Sequence, residues 1–112
     1  MIIAERVLNI VDGDGSTSFF VRLHRPELAA DGKAWGCRFE ICWPDRPIDM
    51  TIWGEDAIQA LDLAMKIIGV RLYVSGYHAD GRLVWHEPGA GYGFPIVANS
   101  RDLLIGDDAK YQ

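Results

Sequence analysis

The sequence predicts an α+β domain: a mostly antiparallel, twisted sheet of four to six strands with one long helix packed on one face. Three observations predict it. Apolar residues alternate along Trp35–Trp43, a capped stretch from Asp56 repeats apolar residues at three- and four-residue intervals, and β-rich runs broken by Gly, Pro and Asp clusters fill the first half. With 112 residues, 49% hydrophobic and 24% charged, the length suits one domain spanning 1–112. A chain of this mass should keep about 6,200 Å² of folded surface and bury roughly two-thirds of what it exposes unfolded, enough for a core without a metal or disulfide staple.

Ile2 to Val11 is β-rich and stops at Asp12-Gly13-Asp14-Gly15, a turn cluster. Its register stays open: Ile2, Ala4, Leu8 and Ile10 share a face with Arg6, while Ile3, Val7 and Val11 share one with Glu5 and Asn9. From Phe19 to His24, Phe19, Val21 and Leu23 alternate with Phe20, Arg22 and His24, the mark of a half-buried strand. Pro26 and Ala30-Asp31-Gly32-Lys33 read as a break. The clearest strand follows, with Trp35, Cys37, Phe39, Ile41 and Trp43 on one parity and Gly36, Arg38, Glu40 and Cys42 on the other. Such alternation belongs to a sheet with one covered face. Ile48, Met50 and Ile52 supply another strand before Gly54.

Asp56 and Gln59 have the spacing of a capping box, in which a carboxylate takes an orphan amide and the N3 side chain reaches back. Ile58, Leu61, Met65, Ile68 and Leu72, with Ala57 and Ala64 beside them, form the stripe expected to cover the sheet. Ala60, Leu63, Ile67, Val70 and Val74 form a second run at helical spacing. At about 100° per residue the polar wedge is Gln59, Asp62, Lys66, Gly69 and Tyr73, with Arg71 as an isolated exception elsewhere, so the apolar arc is about 240° wide, twice what one sheet hides. Phe94–Ile105 folding back, a second copy of the chain, or another protein would cover the excess. The competing reading stops the helix near Gly69 and makes Val70, Leu72 and Val74 a strand; a helix to Val74 is preferred.

Beyond it, Asp80-Gly81 reads as a turn, Leu83-Val84-Trp85 as a short strand and Gly89, Gly91 and Gly93 as a flexible loop. Phe94–Ala98 reads as a further apolar segment, Leu103–Ile105 as an anchor with Ser100 as its cap, and 107–112 as a flexible tail.

Charge and motifs narrow the function classes. Sixteen acidic residues against eleven basic ones give a net charge of -5, with no Lys/Arg stripe to displace counterions from phosphates, so nucleic acid is not the expected partner. No apolar run reaches the roughly 20 residues of a membrane helix, and Glu5 and Arg6 interrupt any leader-like start. Cys37 and Cys42 fall on opposite strand faces, cannot bridge, and lack zinc spacing, which points to a reducing, cytoplasmic setting. Asp12-x-Asp14-x-Ser16 lacks the glycine and glutamate of a calcium loop, and Pro95 forbids a phosphate-binding helix after Gly89-x-Gly91-x-Gly93. No cofactor or metal is implied. A hairpin at Asp80-Gly81 would bring His78 and His86 together, with Glu87 as a third polar group.

Gly54-Glu55-Asp56-Ala57-Ile58-Gln59-Ala60-Leu61-Asp62-Leu63-Ala64-Met65, then Ile68-Gly69 and Leu72, resembles a pattern found in small uncharacterised bacterial domains of unknown function, some of them similar to immunity proteins that neutralise a toxin by binding it. Gly81-Arg82-Leu83-x-Trp85 and Gly93-Phe94-Pro95 resemble the close of such domains, so the likeness covers roughly residues 35–96. It implies strands followed by a helix that continues past Ile68-Gly69, and it carries no catalytic residues.

The expected function is therefore non-enzymatic binding of a protein partner, or self-association. Leu63, Ile67, Val70 and Val74 are the candidate interface, with Trp53 and Trp85 as aromatic anchors near element ends. The rival is a small-molecule binder or weak enzyme with a pocket between the sheet and the Gly89–Phe94 loop, using His78, His86 and Glu87.

Overall fold

The computed structural model describes residues 1–96 together with 105, 106 and 108. In chain order the elements are β1 (Ile2–Asp12), β2 (Gly15–His24), β3 (Glu27–Leu28), β4 (Trp35–Ile41), β5 (Ile48–Gly54), α1 (Ala57–Tyr73), α2 (Gly76–Ala79) and β6 (Leu83–Val84). They form the antiparallel six-stranded sheet and the single long helix that the sequence predicts. β6 pairs with β1, β1 with β2, and β2 with β4; β3 also lies on β4, and β5 pairs β4 along its whole length.

The strand alternation translates directly into faces. Phe19, Val21 and Leu23 of β2, Cys37, Phe39 and Ile41 of β4, and Leu8 and Ile10 of β1 are buried on one face. Phe20, Arg22, Arg38, Glu40, Asp49, Thr51 and Trp53 project from the other. β1 hides its pattern because Ile2 pairs with His24 while Ala4 pairs with Leu23, so Ile3 is the extra residue of a bulge. Ile2 and Ile3 are exposed at this irregular end, while Val7 and Val11, paired with Phe20 and Ser16, are exposed because alternation puts them on the open face. β3, only two residues long, falls within the stretch read as a break.

The capping box is present. Asp56 Oδ1 accepts from the Gln59 amide at 2.7 Å, and Gln59 Oε1 accepts from the Glu55 amide at 2.7 Å. The helix runs through Gly69 to Tyr73, with Val74 as its C-cap. Its sheet-facing stripe is Ala60, Ala64, Ile68 and Leu72, each fully buried, so Ala60, expected in the second run, belongs to the covering stripe. Two further expectations for this helix need correction. Ile58, assigned to the covering stripe, is 78% exposed, because at about 100° per residue it lies roughly 160° around the helix from the fully buried Ala60. Gly69 and Tyr73, assigned to the polar wedge, are buried. The chain at Phe94–Ile96 packs on that flank, close enough that a methyl group on Gly69 would lie 2.4 Å from the Pro95 carbonyl oxygen. The Phe94 segment, one of the three expected covers, therefore folds back on the flank read as polar, not over Leu63, Ile67 and Val74 of the second run. The expected anchor at Leu103 and Leu104 with its Ser100 cap lies outside the described residues.

Helix α1 packs on β4 and β5. Over β1 and β2 the core is completed by Trp43, Tyr77, Leu83, Tyr92 and Phe94, with Trp43 stacked between Phe19 at 4.8 Å and Tyr77 at 5.2 Å. The radius of gyration is 14.6 Å, against about 13 Å for a compact chain of this length. The β1–β2 ribbon is long, and its tip from Val11 to Ser18 is exposed.

Candidate functional site

Strand β5 is a sheet edge: among the described strands it pairs only with β4. Seven residues of backbone, Ile48–Gly54, line that edge without a proline. Such an edge is a template for another strand unless something blunts it. Helix α1 lies above it, and the contacts show which flank overhangs. Arg71 Nη2 donates to the Met50 sulfur at 3.5 Å, which places Arg71 on the β5 side. Met65 lies beside Ala4, Val21 and Phe94, on the opposite side. At helical spacing Leu63, Ile67 and Val74 then fall with Arg71, toward the β5 edge, and Val70 next to them toward the outside. Leu63, Ile67 and Val70 are half-buried and Val74 is 63% exposed. The four candidate helix residues thus meet a strand edge that no other described strand pairs.

Trp53 completes the same edge from the open face of the sheet, where it is 56% exposed. Its ring leans over Gly36, since a methyl group there would touch Trp53 and Thr51 side chains at 2.9 Å. Trp53, Thr51, Gly36, Arg38, His24, Arg25 and Leu28 line a shallow cleft of about 310 Å³. Beside it the register places Glu40 directly opposite Asp49 and Arg22 opposite both Glu5 and Glu40. Like charges face to face are unfavourable, and the neighbours resolve it. Arg38 binds Asp49 through two bonds of 2.8 and 2.7 Å and reaches Glu40 at 3.6 Å, while His24 Nε2 meets Glu40 at 2.6 Å and Arg22 meets Glu5 at 2.6 Å. The Arg38 hydrogen bonds hold the Asp49 carboxyl below its usual range. These side chains are engaged with one another.

The rival pocket does not assemble as expected. His78 Nδ1 pairs with the Tyr92 hydroxyl, whereas His86 is exposed with its ring 4.0 Å from that of Trp85. Burial lowers the His78 pKa. Among the described residues no three His, Cys, Asp or Glu side chains are grouped to hold a metal. A hollow of about 140 Å³ does lie between the sheet and Gly93-Phe94-Pro95, but Ala4, Glu5, Arg6, Val21, Leu23 and Met65 line its other walls. Trp85 is half-buried, with the Arg6 guanidinium 4.0 Å above its ring. Trp85 therefore anchors the interior of this region.

The loop read as flexible is held in place. Asp108 Oδ2 accepts from the Tyr73 hydroxyl at 2.6 Å and the Tyr92 amide at 2.9 Å, and Oδ1 accepts from the Gly93 amide at 2.9 Å. Gly91 adopts φ +89°, and a methyl group there would strike Asp108 at 2.6 Å, so glycine serves both backbone and packing. Of the segment expected as a tail, Asp108 is described and only 4% exposed. Burial and the Asp108 charge push the Tyr92 hydroxyl up to about 12.

Sequence reasoning missed the charge ladder and this carboxylate clamp. Strand register would have revealed the first; no local pattern announces the second. A family model described as a domain of unknown function (DUF6968) matches residues 4–96, consistent with the expected uncharacterised domain. No curated protein and no solved structure matches the chain.

Proposed function

We propose, for a chain that belongs to the family of domains of unknown function DUF6968, that it is a non-enzymatic binding protein working by protein–protein association along the β5 edge. One observation carries this reading: a seven-residue strand edge lies directly beneath the surplus apolar flank of α1. An added strand would satisfy the open backbone groups, and its neighbouring structure would cover Leu63, Ile67 and Val74. The mutual pairing of Arg38, Asp49, Glu40 and His24 supports the same reading, since paired charges frame a surface without supplying a free acid or base. With 16 acidic residues against 11 basic ones, nucleic acid is disfavoured as the partner.

Site-specific photo-crosslinking in cells tests it. A photoreactive residue at Ile67 or Thr51 should yield discrete protein adducts, and one at Ser16 on the hairpin tip should not. Equal labelling at all three positions, or none at the edge, overturns the proposal.

The cleft favours a second reading, a small ligand stacked on Trp53. At about 310 Å³ it sits at the lower end of ligand pockets, roughly 300–1,000 Å³. A ligand that raises the melting temperature and shifts tryptophan emission, with both effects lost in Trp53→Ala, would support that alternative.

A further inference from the structure

Resting on the edge-binding reading, we infer that the partner at β5 is a second copy of this chain, joined by antiparallel β5–β5 pairing about a two-fold axis at Thr51. Among the described residues two adjacent surfaces are available here, a strand edge and an apolar helix flank on which Val74 is exposed and Leu63, Ile67 and Val70 are half-buried. A lone extended peptide would fill only the edge. A second copy brings its own strand to the edge and its own helix to the flank, because both belong to one β5–α1 unit. Isologous pairing of this kind is the commonest symmetry of soluble oligomers.

The register follows from length. Full antiparallel overlap of Ile48–Gly54 with itself centres on its fourth residue, Thr51. Opposed residues then share a face, as antiparallel pairing requires. Met50 faces Ile52 and Ile48 faces Gly54 on the helix side; Asp49 faces Trp53 and Thr51 faces its own symmetry mate on the open side. No like charges are opposed. The helix runs antiparallel to β5 above it, so the two-fold also sets the two helices antiparallel. Arg71 at the tail of one helix then approaches Glu55 at the head of the other, opposite charges at both ends of the contact. Leu63 and Ile67, near the middle of the helix, fall next to the axis. The product is one continuous sheet with both helices on the same side.

Cysteine linkage on the full chain tests the register. In a Cys42→Ser background, which leaves only the buried Cys37, Thr51→Cys should oxidise to a covalent dimer. Directly opposed residues have Cα atoms about 4.5–5.5 Å apart, within disulfide reach. Asp49→Cys and Trp53→Cys should each form no disulfide-linked dimer alone and should link covalently when mixed. Unmodified chain should double in mass by light scattering as concentration rises, and Val74→Glu, at an exposed position near the Glu55 end of the contact, should shift it back to monomer. A chain that stays monomeric at high concentration, or linkage at Ser16→Cys as efficient as at Thr51→Cys, overturns the pairing. The edge-binding reading fails separately: if photo-adducts form at Thr51 with a mass other than the doubled chain, the edge binds another protein and only the self-pairing is lost.

Discussion

Replacing Gly69 with alanine sets two effects of known size against each other. Within a helix, Gly→Ala gains about 1 kcal/mol from backbone entropy. Here the added methyl would sit 2.4 Å from the Pro95 carbonyl oxygen, where ordinary contact begins near 3.4 Å. The Pro95 backbone would have to retreat by 1.0 Å, the difference of those two distances. Helix backbone lies on one side and loop backbone on the other, so no side chain can rotate away. Overpacking of this kind costs about 1–3 kcal/mol, and rigid neighbours place it at the upper end. The segment being pushed also carries Phe94 and Ile96, both buried. The expected net loss is about 2 kcal/mol, a fall in Tm of roughly 8–12 °C at 4 °C or more per kcal/mol. Gly76→Ala is the matched control. It opens α2 with nothing within 4 Å of the added methyl, so it should be neutral or stabilising by up to about 1 kcal/mol. Differential scanning calorimetry of the pair reads both signs. A Gly69→Ala chain melting at or above the parent temperature would refute the reasoning, for it would mean the 94–96 segment does not press on the helix.

Asp108→Ala strips the acceptor from the Tyr73 hydroxyl and from the Tyr92 and Gly93 amides, and should cost about 2–4 kcal/mol in urea unfolding; a loss under about 1 kcal/mol would show that the clamp does not hold the loop. Burial lowers the His78 pKa, so the unfolded chain protonates first. The His78 contribution should be complete above about pH 6.5 and shrink as pH falls through that value toward the folded pKa, an effect absent from His78→Gln. Tyr92, raised to about 12, works in the other direction. Unfolded tyrosine ionises near pH 10, so stability should hold below about 10 and decline from there toward 12, with a weaker decline in Tyr92→Phe. Asp49→Ala breaks only an exposed pair with Arg38 and should change stability by less than about 1 kcal/mol, and by still less in high salt.

Much of this fold is legible in local pattern, and the reasons for the exceptions are specific. Trp35–Ile41 alternates because one face of β4 is covered and the other is open. Asp56 and Gln59 announce the helix start because their side chains complete hydrogen bonds to backbone amides. The wide apolar arc predicts a cover over the second run, yet the segment that folds back lies against Gly69: hydropathy ranks Gly69 with polar residues and cannot show that its missing side chain admits Pro95. A similar limit applies to Ala60, read into the second run but fully buried against the sheet beside Gly54. At the candidate site, Leu63, Ile67, Val70 and Val74 are visible as a surplus, but their place above the β5 edge depends on how α1 is rotated, a tertiary fact reported by Arg71 on Met50. The His24–Glu40 and Arg38–Asp49 pairs join residues 16 and 11 apart. They become readable only once the strands are aligned.

The two-residue strand β6 has a consequence for how the molecule breathes. Asn9 meets Val84 and Ile10 meets Leu83, contacts that close a loop of more than seventy residues with very few hydrogen bonds. The β1–β2 ribbon, by contrast, zips through a two-residue turn. Loop-closure entropy makes the long-range contact the late and weakly held one. Amide exchange should therefore begin at Leu83 and Val84 while the Phe39 and Ile41 amides stay protected, so that the native state unlatches from the side opposite β5 and keeps that edge intact as it does so.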